Sequence, residues 1–198
     1  MRKAIRHLKE NDPILGAIID QVGVVKLAYR EPSFQSLVRA IAYQQLHGKA
    51  AKAIYDRLTA AAGGILTPDS VLALSEEQMR ACGLSKQKLA YIRDLAAKTL
   101  SRDVVFEDLP QMADGDVIEH LTRVKGIGEW SAQIFLMFAL RRENVMPTGD
   151  YGIRAAIKKA YRKRAMPKAE EMLRLAKKWE PYRTLACYYL WRSLDVDV

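Results

Sequence analysis

Leu121-Thr122-Arg123-Val124-Lys125-Gly126-Ile127-Gly128-Glu129-Trp130-Ser131-Ala132 is the stretch on which the reading of this chain turns. A helix-forming segment, Asp116 to Val124, runs into it, and a second, Glu129 to Leu140, runs out. Between them the chain must reverse over two glycines. Glycine takes positive φ without steric penalty and has no Cβ to hold a neighbour off. Gly126 and Gly128 therefore let the backbone turn tightly and approach an anion. The amides that open the second helix lack intrahelical acceptors and sit at its positive end. A phosphate oxygen suits that place. Lys125 adds a mobile positive charge, and Val124 and Ile127 anchor the turn in a core. Ser131 either bonds the same phosphate or caps the helix. Gly-Ile-Gly alone is a common helix connection. The longer pattern, Leu-x-x-Val-Lys-Gly-Ile-Gly-x-Trp-Ser-Ala, is far more specific.

Outward from the hairpin, every strong signal is helical. Asp12-Pro13 is an N-cap followed by proline at the first helical position. Pro32 opens a segment in which Phe34, Leu37, Val38, Ile41 and Ala42 share one face. Gly48 breaks or caps it, and Ala50 to Leu58 resumes the pattern until Gly63-Gly64. Thr67-Pro68 and Ser75-Glu76-Glu77-Gln78 are start signals, the second fitting a capping box. Gly83 stops a short helix, and Ser85 caps one running towards Leu100. Val104-Val105-Phe106 is the one short β-like run of the middle region. Ile134 to Leu140 is apolar all round, which predicts a buried helix. Asp150 opens a segment through Ala160, and Pro167 and Pro181 each open one more. The count is about ten short helices with no strand alternation. The fold class is all-α, a two-lobed helical bundle within one domain over 1–198. Lobe one is expected over about 30–115, and lobe two over about 116–198 plus the N-terminal helix.

The chain carries 32 Lys and Arg against 23 Asp and Glu, a formal charge of +9. A surplus of that size favours a polyanionic partner. The bases crowd between Arg154 and Arg183, where the acids are only Glu170, Glu171 and Glu180. A charge run by itself is most often a solvated surface, but downstream of a phosphate-type hairpin a DNA-facing surface is the better reading. No apolar run approaches the roughly 20 residues that a membrane-spanning helix needs. The charged N-terminus lacks the apolar core of a signal peptide. Cys82 and Cys187 have no metal-type spacing, and His7, His47 and His120 form no ligand cluster. Two such cysteines fit a reducing, intracellular setting.

These residues resemble the helix-hairpin-helix (HhH-GPD) superfamily of DNA glycosylases, and within it the 3-methyladenine DNA glycosylase II type. The resemblance covers nearly the whole chain. Phe34 to Leu46, ending in Ile41-Ala42-Tyr43-Gln44-Gln45-Leu46, resembles the family's early helix and the loop that probes the duplex. Leu66 to Leu84 and Lys86 to Leu95 resemble its middle helices. Pro147-Thr148-Gly149-Asp150 resembles the segment that carries its catalytic aspartate. Trp179 to Arg183 and Tyr189-Leu190-Trp191 resemble its closing helices. The chain departs from the family in lacking room for the N-terminal sheet domain of longer members. It has Lys125 where many members have proline. The four clustered cysteines of the iron–sulfur branches are absent. Trp130 stands where the strand-nicking branch has a lysine nucleophile, and an indole forms no Schiff base.

The resemblance implies a monofunctional enzyme that flips alkylated purines of the 3-methyladenine and 7-methylguanine type out of double-stranded DNA. It hydrolyses their N-glycosidic bond and leaves an abasic site. Asp150 is the implied catalytic carboxylate; read alone, it is an N-cap worth about 1 kcal/mol. Trp130, Tyr151 and Trp191 are the implied base pocket, though tryptophans on apolar helices are also core residues. Either Gln45 or Leu46 is implied to fill the gap left by the flipped base; their plainer role is a helix C-terminus before Gly48. Lys125, Gly126, Ile127, Gly128 and Ser131 are the implied DNA contacts. No metal, organic cofactor or membrane partner is expected, and a monomer is. The expected compartment is the cytoplasm, at the nucleoid, in a bacterium or archaeon and the nucleus in a eukaryote. Two rivals remain: a non-catalytic helix-hairpin-helix module that only grips DNA, and a glycosylase for another lesion such as uracil or hypoxanthine.

Overall fold

A computed structural model describes residues 1–46 and 48–195; His47, one of the three histidines, lies outside the described residues. Among the described residues the chain forms twelve α-helices and two 3-10 turns, with no strand. The helices are α1 Arg2–Asn11, α2 Pro13–Val22, α3 Phe34–Tyr43, α4 Gly48–Ala61, α5 Pro68–Ala73 and α6 Glu76–Ala81. They continue as α7 Lys86–Leu100, α8 Asp114–Thr122, α9 Glu129–Phe138, α10 Tyr151–Ala160, α11 Ala169–Ala176 and α12 Arg183–Arg192. The fold is all-α, with a few more helices than the pattern suggests, because Asp12 both ends α1 and caps α2.

A side-chain cap explains six of the starts. Thr67 caps α5 and Ser75 caps α6, each in a reciprocal capping box, while Ser85 caps α7. Pro32 does not open α3; Ser33 does, accepting a hydrogen bond from the Ser36 amide. Proline there fixes the approach, and a side-chain oxygen satisfies the helix end. Phe34, Leu37, Val38, Ile41 and Ala42 are all buried along α3. Val104-Val105-Phe106 pairs with no strand. Val104 and Phe106 are buried, and the Val105 amide donates to His120 Nε2 at 3.1 Å.

The chain divides into two compact units, Met1–Tyr29 with Leu136–Val198, and Arg30–Phe135. In the Arg30–Phe135 unit α3, α5 and α6 pack on α7, and α4 packs on α3 and α6. The core there includes Leu37, Ile41, Leu58, Met79, Ile92 and Leu95, all fully buried. The sequence pattern places the end of this unit near 115; α8 and the hairpin belong to it as well. Two long-range bonds account for that. Gln44 Nε2 donates to the Gly126 carbonyl at 2.9 Å, and the Lys125 amide donates to Asp94 Oδ2 at 2.8 Å.

In the other unit α2 packs on α1 and α12, and α10 packs on α12. Asp12 lies at its centre and is fully buried. One oxygen accepts the Ile14 and Leu15 amides, both at 3.2 Å. The other accepts Trp179 Nε1–H at 2.7 Å and the Tyr161 hydroxyl, and meets Lys178 Nζ at 3.0 Å. Burial alone pushes the Asp12 carboxyl up, but the Tyr161, Trp179, Lys178 and Leu15 hydrogen bonds together hold it below the ordinary value. Removing one partner of such a cluster strands the others, so Asp12→Ala is expected to cost about 3 kcal/mol. A folded-state value below the unfolded one means that Asp12 stabilises above about pH 4 and that this is lost as pH falls further. Thermal melts should therefore show a large deficit for the variant at neutral pH that narrows in acid.

Candidate functional site

The hairpin is built from α8, its turn and the first turn of α9. Only one of its two glycines uses the freedom that the sequence reading grants both. Gly126 has φ 79°, and a Cβ there would lie 2.0 Å from Tyr91 Cδ2. Gly128 has no positive φ and faces open space. Its carbonyl accepts the Ala132 amide, the first bond of α9. Ile127 and Val124 are buried, as anchors should be, while Lys125 is exposed. Its ammonium lies 3.8 Å from Asp94 Oδ1.

Asp94 is a residue that sequence reasoning missed. It stands on α7, pairs with Lys98 at 2.8 Å and holds the hairpin through the Lys125 amide. Burial pushes its carboxyl up, but Lys98, the Lys125 amide and the two lysine charges win and keep it low. An i,i+4 Asp–Lys pair on a helix is too common a pattern to have marked it.

Beside the hairpin the same unit encloses a cavity of about 500 Å³. Trp130, Ser131, Ile134 and Gly126 line it, with Tyr43, Gln44 and Gln45 from the end of α3. Trp130 is 46% exposed, so it is not a core residue of this unit. Gln45 has φ 54°, a left-handed conformation unusual outside glycine. Leu46 is exposed. The loop expected to probe the duplex is thus a strained, solvent-facing turn straight after α3.

In the other unit Asp150 caps α10. Its Oδ1 accepts the Ile153 amide at 2.7 Å and Trp191 Nε1–H at 2.8 Å. The residue is 7% exposed. The cap reading is therefore correct as geometry and incomplete as an account: a cap needs the Ile153 amide and has no use for an indole 41 residues away. Trp191, expected as a pocket wall, directly orients the carboxylate. Phe138 packs on Trp191 at 6.0 Å between ring centroids. Gly152 makes the approach possible, since a Cβ there would meet Trp191 Cδ1 at 3.0 Å. Cys187 is buried nearby, and burial, then the Asp150 charge, push its thiol up. Tyr151, the third aromatic, is 75% exposed next to Asp150. Among the described residues no group of three or more His, Cys, Asp or Glu is arranged to hold a metal ion. No described helix is long and apolar enough to cross a membrane.

Known proteins are similar to this chain in sequence and fold. DNA-3-methyladenine glycosylase 1 of Schizosaccharomyces pombe is 34% identical over 200 residues, covering 98% of this chain and 87% of that one. The structure of the 3-methyladenine DNA glycosylase of that yeast in complex with abasic DNA superposes with a TM-score of 0.87 at 33% identity, covering 98% and 97%. A DNA-3-methyladenine glycosidase from Bacillus halodurans superposes at 0.83 with 38% identity, covering 96% and 88%. The family model for HhH-GPD base excision DNA repair proteins matches residues 38–181, from within α3 to the segment before α12. With the hairpin, the capped aspartate and most of the chain inside that match, the protein belongs to the HhH-GPD superfamily of base excision DNA repair proteins.

Proposed function

We propose that this chain is a monofunctional DNA glycosylase. It hydrolyses the N-glycosidic bond of alkylated purines in duplex DNA and leaves an abasic site, wherever in the cell the genome lies. The observation that carries the reading is Asp150: a buried carboxylate whose Oδ1 accepts both a backbone amide and an indole N–H. Relatives named as 3-methyladenine DNA glycosylases over nearly the whole chain support the substrate class.

The chemistry follows from bond order. As the C1′–N bond lengthens, positive charge builds on the sugar. Asp150 supplies a fixed negative charge where that cation forms. Its orientation is set beforehand by the two donors, so no reorganisation is needed in the transition state. Water then attacks C1′, and the carboxylate accepts the proton that the water loses. An alkylated purine is already cationic and leaves as a neutral base. One carboxylate therefore suffices, where sugar hydrolases use two. Trp191 is a positioning residue for Asp150. Trp130 offers an aromatic face to the base that has left the stack. Lys125 and the hairpin amides around Gly126 and Gly128 take a strand phosphate, with Ser131 a further donor. Gln45 or Leu46 enters the duplex in place of the extruded base.

The test is a panel of duplexes carrying 7-methylguanine, 3-methyladenine, ethenoadenine, hypoxanthine or uracil. Alkylated bases should be released while the strand stays intact until hot alkali. Borohydride should trap no enzyme–DNA adduct, because Trp130 offers no amine. A trapped adduct would show that a lysine, Lys125 first among them, acts as nucleophile.

A further inference from the structure

The cavity beside Trp130 is aromatic on part of its wall and cationic on the rest. Arg30, Arg39 and Lys88 line it with Trp130, Tyr43 and Tyr91, and the lining holds no aspartate or glutamate. Lys88 is committed elsewhere, its ammonium donating to the Ala42 carbonyl at 2.9 Å. The two arginines are not. Among the described residues no ion pair involves either of them. Arg39 is held by rings: its guanidinium lies 4.0 Å from the Tyr43 centroid and 5.4 Å from that of Tyr55. A planar group stacked in this way keeps its edge N–H donors for another partner. Burial and the neighbouring Arg39 charge make Arg30 easier to deprotonate than usual, so the two guanidiniums lie within electrostatic reach of each other.

Such a cavity has an electrostatic preference. A volume of about 500 Å³ admits a purine. Hypoxanthine and 7-methylguanine both offer the guanidinium a carbonyl acceptor, so the charge is what separates them. A purine cation brings like charge into a site with no lining carboxylate to offset it. Leaving-group chemistry runs the other way, since the cation departs more easily. The cavity and the chemistry therefore oppose each other, and neutral lesions gain relative to what leaving-group ability alone would give them.

We propose that Arg39, assisted by Arg30, is a specificity-determining residue that favours neutral damaged bases such as hypoxanthine over cationic ones such as 7-methylguanine. This rests on the assignment of the cavity to the extruded base. The test is single-turnover excision of both bases from one duplex sequence by the wild type, Arg39→Gln and Arg30→Gln. Arg39→Gln should change the ratio of 7-methylguanine to hypoxanthine excision by about tenfold in favour of 7-methylguanine, because the like-charge repulsion it removes acts on the cation alone. Arg30→Gln should move the ratio the same way by about threefold. A wild type that releases 7-methylguanine and no hypoxanthine, or an active wild type whose ratio both variants leave unchanged or move the other way, overturns this assignment alone. Equal losses on both bases do so too, since they mark a packing role. A wild type that excises neither base overturns the proposed function itself.

Discussion

Asp150→Asn should lose base excision by a factor of about 10³ or more while still binding abasic DNA. The substitution isolates charge from structure. Asparagine is as good an N-cap as aspartate. Its side-chain oxygen can still accept the Ile153 amide and the Trp191 indole N–H, which both now bond Oδ1. The melting temperature should hardly move. What goes, under the proposed function, is the negative charge that stabilises the sugar cation and the oxygen that takes the proton of the attacking water. Asp150→Ala would confound these with loss of the cap and a stranded indole. Single-turnover excision of 7-methylguanine, beside a binding titration on an abasic analogue, reads the two effects separately. Wild-type excision by Asp150→Asn would reduce Asp150 to a helix cap and remove the central support of the proposed function.

Gly126→Ala should destabilise the protein by about 2–4 kcal/mol and weaken DNA binding at every sequence. Two costs add at this position. The backbone sits at φ 79°, where an L side chain is strained, and the new Cβ would lie 2.0 Å from Tyr91 Cδ2. The hairpin must then lift off α7, which also disturbs the Gln44 bond to the Gly126 carbonyl and the Asp94 bond to the Lys125 amide. Adding Tyr91→Ala should restore part of the stability by removing the clash, and leave a torsional remainder of about 1 kcal/mol. Gly128→Ala is the control. It has open space and no positive φ, so its stability should stay within about 0.5 kcal/mol of wild type. If Gly128→Ala folds normally yet binds DNA more weakly, its glycine serves close approach of the phosphate. Denaturant melts and salt-dependent binding separate the two glycines. Equal stability losses at both would contradict the geometry of the turn.

The sequence alone determined the features that close within a few residues. Asp12-Pro13, Thr67-Pro68, Ser75 and Ser85 begin helices through bonds to amides two or three positions on, so residue type and spacing suffice. The buried face of α3 follows in the same way from a period that matches the helix. The hairpin was legible because two glycines between two helical segments admit few other turns. The expectation of a phosphate contact followed from that turn. Resemblance to a family drew attention to Asp150, which residue type alone would have left as a cap.

Tertiary structure decided what holds those pieces in place and what surrounds them. Asp94 reaches the Lys125 amide across 31 positions, and Gln44 reaches Gly126 across 82. Trp191 finds Asp150 across 41, and Tyr161 and Trp179 find Asp12 across 149 and 167. None of these pairs has a signature along the chain, because a hydrogen bond depends on two side chains meeting and not on the interval between them. The same holds for Arg39. On the sequence it is one base among many; stacked on Tyr43, it is one of three cations in a cavity whose lining has no carboxylate. Which glycine of the hairpin is indispensable was likewise set from outside the motif, by the ring of Tyr91 against Gly126. Local bonding fixes where helices start and stop, but only packing fixes which side chains face each other, and the chemistry of the site depends on the second.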